Sequence, residues 1–398
     1  MRPAISRATR ALLLVPLLAA GPASARAPSA DPSPGTLGLR VSADPARRDL
    51  VMEVGPVDLP ADGMHHQLPA FHARIPIDGW LHGFRVELVD ADGRAVPRIT
   101  LHHVNVITPS QRELFSQIML RVAAAGQETD AVALPRMVGY RVRRGQEMIV
   151  TSMLHNPTGR AYRGVRLRVH FPYTPADARL KPVSILPFYI DVMPPASLHS
   201  YDLPPGRSSR TWEARPAVAA RILGMGGHIH QYGTRLVMED VTAKRVIWEA
   251  RPTVGPDGQI AGVPQNFFFW RLGIPVRPDH LYRVTAEYDN TSGETIPGGA
   301  MGTLGGAVVP DDASKWPAID PNNPELKLDW HLVHTGNPGG HGHGAHGGDA
   351  RATPMPAMEM SAVAPAAHTH AHGQAAGPAR APAQHGGMAM PRGAGQRR

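Results

Sequence analysis

The 398-residue chain contains no cysteine. That absence excludes disulfides and thiolate ligands, so the fold must rest on its own core, and a metal would have to be held by His, Met, Asp or Glu. Long hydrophobic runs are lacking too. The one apolar stretch, residues 11–20 (ALLLVPLLAA), falls far short of the roughly 20 residues that cross a bilayer. Aromatic residues make up 6% of the chain and never interleave with a basic run, and Lys and Arg are scattered, which argues against a nucleic-acid partner. No Ser/His/Asp arrangement, phosphate-cradling glycine loop or paired-carboxylate motif rises above chance.

What is present begins with a leader. Arg2, Arg7 and Arg10 precede the short apolar run, and Ala23-Ser24-Ala25 follows it as a small-x-small cleavage site. Residues 1–25 therefore read as a signal peptide, and the mature protein as secreted or periplasmic with no transmembrane segment. Three arginines leave with the leader, so the formal charge falls from +8 to about +5. That charge serves solubility and permits weak association with anionic lipid or polymer.

Residues 26–50 are rich in Pro, Ala and Ser and read as a flexible lead-in. From about Val51 the pattern is β. Residues 165–171 (VRLRVHF) alternate strictly, which places His170 on a polar, solvated face. Hairpins are expected over residues 84–89 with a turn at 90–93, and over 234–238 and 245–250 with a turn at 240–244. Only residues 111–125 look capable of forming a helix. Proline and glycine, 41 each, punctuate the rest at the short intervals of sandwiches or jelly rolls. A Pro/Ser-rich break at 194–210 divides an N-terminal domain (51–193) from a C-terminal one (211–336). Residues 337–398 are expected to be disordered: Gly, Ala, Pro, His and Met dominate, with almost no large apolar residue to form a core. In this tail His341, His343, His346, His368, His370, His372 and His385 alternate with Met355, Met358, Met360, Met388 and Met390, a composition suited to loose copper binding.

The most telling stretch is His228-Ile229-His230, set after Gly224-Met225-Gly226-Gly227 and before Gln231-Tyr232-Gly233. A spacing of two on a strand puts both imidazoles on one face, half a site for a transition metal. The glycines in front are expected to let the backbone bend. His102-His103 lies in a strand-like segment where neighbours should face opposite ways, so both reach one metal only if the strand twists or ends there. His155 closes a strand ahead of Asn156-Pro157. Met301, among glycines, has few packing neighbours and suits a soft ligand. His65, His66, His72 and His82 read mainly as surface residues able to line the same cleft, His331 and His334 as an extension of the tail, and His199 and His280 as loop residues without an evident partner.

The order His-His, strand-ending His-Asn-Pro, His-x-His-x-x-Gly, then a Gly-Gly segment carrying Met resembles the copper type II, ascorbate-dependent monooxygenases, a family that includes peptidylglycine α-hydroxylating monooxygenase and dopamine β-monooxygenase. The resemblance covers roughly residues 65–310. It implies an all-β chain of two tandem jelly-roll domains, each with one copper facing a cleft. His102 and His103 would serve an electron-transfer copper, completed by His155 or by Met153, which stands at the family's position. His228, His230 and Met301 would serve an oxygen-activating copper. The expected cofactors are copper, at two mononuclear sites, and ascorbate or another reductant. The expected partners are a small-molecule or peptide substrate, or a copper donor or acceptor protein. The competing expectation is a non-enzymatic copper storage, delivery or detoxification protein.

Overall fold

The alternating segment 165–171 lies inside a strand, Tyr162–Pro175, in a computed structural model that describes residues 35–256 and 258–336. Val165, Leu167, Val169 and Phe171 are at most 1% exposed, while Arg166 and Arg168 turn outward to Glu53. His170 shares that outer face but is not solvated. Asp49 and Glu87 close on its ring at 2.7 and 3.1 Å, and Arg85 completes the cover.

The described chain is all-β, with a single α-helix among the described residues, Pro324–Thr335. A twelve-stranded sheet forms one continuous layer. Its N-terminal part faces a five-stranded sheet across a core containing Leu50, Met52, Val104, Leu120, Met148 and Leu167. Its C-terminal part faces a four-stranded sheet across a second core containing Ile190, Ile222, Leu236, Trp248, Tyr282 and Val308. The seam is the strand Val183–Asp191. Its first residues pair in parallel with Val138–Val142, and its remainder pairs antiparallel with Gly302–Pro310. Both expected hairpins form, with Gly233–Asp240 pairing Arg245–Ala250, and Gly83–Val89 returning through a bridge at Ala95.

Several local expectations differ from the structure. The lead-in already holds a strand, Gly38–Asp44, and the break at 194–210 holds Tyr201–Leu203 and the start of Gly206–Ala214. No helix forms in the 111–125 region. Met119–Ala125 is a strand paired with Leu101–Arg112, because sheet pairing outweighs alanine's preference for a helix. The helix lies instead at Pro324–Thr335, where Asn323 caps it by accepting from Glu325 N at 2.9 Å, with Pro324 in the first turn. Leu326 and Trp330 pack it on Ile107, Met119 and Ile149. The expected tail lies outside the described residues.

The glycines before His228 begin at a β-bulge, an irregularity that locally bends a strand. They lie within the strand Ala220–Ile229, whose pairing with Gly302–Pro310 slips by one residue between Ile222 and Gly224 and then runs on with Met225 opposite Gly306 and Gly226 opposite Gly305. Their role is also spatial. A Cβ on Gly306 would stand 2.1 Å from Gly224 O and 2.6 Å from the Phe188 ring, whereas one on Gly305 would have its nearest neighbour at 3.6 Å. Gly306→Ala is therefore expected to destabilise by about 1–3 kcal/mol, with Gly305→Ala near neutral. Equal shifts in the urea midpoint for the two variants would refute this account of the seam.

Candidate functional site

The Glu147–His155 strand ends against the short strand His65–Gln67, with His155 and His65 in register, and their rings stack at 4.5 Å. On the other side of the same strand lies Leu101–Arg112. There Met153 pairs His103 and Leu154 pairs Leu101, so His102 is an extra residue, a β-bulge. A bulge re-aims side chains that would otherwise alternate. The His102 and His103 rings are consequently neighbours, 5.3 Å apart, and His102 also meets His65 edge to face at 4.6 Å.

From the C-terminal half, His228 and His230 flank the last residue of their strand with ring centroids 5.0 Å apart. His230 approaches His102 at 5.9 Å. Imidazoles from 65, 102, 103, 155, 228 and 230 thus form one chain of ring contacts across both halves. Met301 lies beside it, between Ile296–Ala300 and Gly302–Pro310. Its backbone is held from two sides: its carbonyl accepts from His230 N at 3.3 Å and from the Tyr288 hydroxyl, and its N–H donates to that hydroxyl at 2.9 Å.

A cavity of about 370 Å³ adjoins the cluster. His65, His102, His103, His228 and His230 line it together with Met153 and Met301, and its remaining wall includes Ile107, Ala123, Phe171, Ile185 and Phe188. His155 is not on that wall; it stacks on His65. Where the resemblance left Met153 and His155 as alternatives, Met153 has the cavity-facing position.

The electrostatics separate the rings into two states. Burial, reinforced by His103, His230 and His65, pushes the His102 pKa far down. Burial and the nearby His228 and His199 take His103 to about 4, and burial also lowers His155. These rings are neutral at pH 7, with lone pairs available. The His103 Nδ1 is buried without a hydrogen-bond partner. His228 differs. Burial alone would lower its pKa, but Glu128, 2.7 Å from Nδ1, raises it. Burial would raise Glu128 in turn, and His228 takes it to about 2.

Reading the sequence missed Glu128, which is 6% exposed and a hundred residues from its histidine, with no local signal to mark it. It also missed the partners of His199: Asp191 Oδ2 lies 3.0 Å from His199 Nδ1, and the Tyr189 hydroxyl donates to the same carboxylate oxygen at 2.5 Å. His82 is not a surface residue. It is buried, bonded to Val138 O and Thr174 at 2.7 and 2.8 Å. His280 pairs with Asp240 at 2.9 Å.

Neutral imidazoles with thioethers at hand suit a borderline-to-soft metal such as copper, and the His103 Nδ1 is a buried polar atom in need of a partner. Among the described residues, no three His, Asp or Glu side chains converge as a ready ligand set. A metal would have to turn rings that now pack on one another toward a common centre.

No protein-family model matches the chain, and no curated protein matches it. Among solved structures, a protein from Eubacterium rectale described as secreted is similar at 10% identity, over 65% of this chain and 74% of that one, with a TM-score of 0.20. A score that low carries no argument. No helix among the described residues is long and apolar enough to cross a membrane.

Proposed function

We propose that the chain is an exported copper-binding protein of the copper type II monooxygenase kind, built as two tandem jelly-roll domains. In this reading the imidazole cluster holds the metal and the adjoining cavity admits the molecule to be oxidised. One observation carries it: histidines from both halves meet beside a largely apolar cavity, and burial keeps His102 and His103 unprotonated. Copper there would supply electron transfer and oxygen activation for hydroxylating a C–H bond, with ascorbate or another reductant as electron source.

The chain's own residues have separable tasks. Glu128 holds the proton on Nδ1 of His228 and so leaves Nε2 as the donor, the usual way a carboxylate orients a metal-binding imidazole. His102 and His103 offer lone pairs without first losing a proton. Met153 and Met301 offer thioethers, which favour the reduced ion. The apolar wall excludes water and selects small substrates with apolar surface.

The second reading, copper storage or delivery without catalysis, rests on the same approach of His102 to His230, which would let rings of both halves close on a single ion. Copper EPR on a form lacking residues 337–398 tests the shared part of both readings. The expected result is nitrogen-ligated Cu(II), lost in His102→Ala and His230→Ala, with affinity reduced roughly 10–100-fold in Glu128→Gln. Unchanged copper binding in all three variants would overturn the site. Ascorbate-driven oxygen uptake above that of free copper, across small apolar substrates, separates enzyme from store.

A further inference from the structure

His72 and His334 belong to the strand Phe71–Arg74 and the last turn of the helix Pro324–Thr335, yet their Nε2 atoms stand 2.8 Å apart. The other nitrogen of each ring is committed. His72 Nδ1 lies 2.8 Å from Glu147 Oε1, and His334 Nδ1 lies 2.7 Å from the Trp330 carbonyl oxygen. Neither acceptor has a hydrogen to give: a carbonyl never does, and the His72 hydrogen bond holds the Glu147 carboxyl below its usual range, so it is ionised at neutral pH. Both protons must therefore sit on Nδ1, and both Nε2 atoms turn lone pairs toward each other. Two lone pairs at that distance repel, so a cation has to lie between the rings. A shared proton is one such cation.

We propose that His72 and His334 form a two-imidazole metal site that takes a borderline divalent ion such as Zn²⁺ or Cu²⁺, with water filling the remaining positions. None of its residues belongs to the cluster described above. Glu147 orients His72 as an outer-shell carboxylate does. The Trp330 ring, 4.3 Å from that of His334, helps to fix the second plane. The negative end of the helix dipole and the Glu147 charge both favour a cation here. The His72 side chain is 38% exposed, so an ion can reach it from solvent. Bonds of about 2.0–2.1 Å to a tetrahedral centre need the two Nε2 atoms roughly 3.3 Å apart, so the rings must part by only about half an ångström.

An ion bound here would tie the helix to the strand beneath it. The test is hydrogen exchange of the 330–335 amides in the full-length protein, with and without Zn²⁺. Slower exchange is expected on adding zinc, absent in His72→Gln and His334→Gln. Glu147→Gln keeps both imidazoles and should need roughly 10–100-fold more zinc for the same protection. His72→Gln leaves the helix sequence intact, so it remains decisive if His334→Gln frays the last turn. Equal exchange with and without zinc in the parent would overturn the site. Protection that survives His72→Gln would also overturn it, and would assign the zinc to histidines elsewhere in the chain.

Discussion

Asp329→Ala should lower the stability of the fold by about 3–5 kcal/mol, the usual loss when one member of a buried ion pair is removed. Asp329 is 2% exposed and reaches from the helix into the five-stranded sheet. Its Oδ2 accepts from Met119 N at 3.0 Å and Arg121 Nη1 at 2.9 Å, and its Oδ1 accepts from Arg121 Nη2 at 2.5 Å. Burial would lower the Arg121 pKa, but Asp329 raises it, so truncation leaves a guanidinium charged in the interior beside an unpaired N–H. Nearby Glu113 cannot substitute at neutral pH. Burial pushes it up to about 8, and its oxygens already accept from Arg121 N and Tyr189 N. The double variant Arg121→Met/Asp329→Leu should recover most of the loss, since apolar replacements of similar size often match a buried pair. Urea unfolding of the single and double variants measures this. A loss below 1 kcal/mol for Asp329→Ala would show that the pair adds little.

That bond shows where the sequence could be read and where it could not. The 165–171 strand, both hairpins and the adjacency of His228 and His230 follow from periodicity, which local sequence carries. The bulge at His102 does not. It arises from how Leu154 and Met153 register against Leu101 and His103, about fifty residues away, and it is what turns both histidines of the doublet toward the cleft. Glu128 and Asp329 are likewise invisible, because a single carboxylate acquires meaning only from the partner that folding brings to it. The helix is a different kind of miss: Asn323-Pro324-Glu325 is a readable start signal, overlooked beside the His-rich segment that follows. The glycines around Met225 act through the side-chain volume they lack as well as through their torsional freedom, and that clearance depends on strands that only the fold brings together.

The metal-free protein should lose stability steeply as pH falls from 6.5. His102 and His103 titrate near 6.5 when unfolded but lower when folded, His103 at about 4. On acidification the unfolded chain therefore takes up protons first. The contribution is whole above about 6.5 and is lost on the way down to the folded values, at about 1.4 kcal/mol per unit for each net proton. His103 alone accounts for at most about 3 kcal/mol. His228, raised by Glu128, runs the other way only until about 6.5, below which the unfolded ring is protonated too. Glu113 also runs the other way, since the folded form holds its proton up to about 8, but it is outnumbered by His102, His103 and the likewise lowered His155. Below about 4.5 its opposition ends, and Glu128, held near 2 in the fold, joins the histidines, so the decline should steepen. His103→Leu removes one titrating ring and fills a similar volume. It should flatten the acid limb, raising stability at pH 5 relative to the parent, while removing one proposed copper donor. Urea midpoints at pH 7, 6, 5 and 4 measure both slopes, and parallel curves would show that this ring is not held neutral by the fold. A gain in stability coupled to a loss of copper would identify the neutral imidazole as a group kept at the expense of the fold, which packing alone would not require.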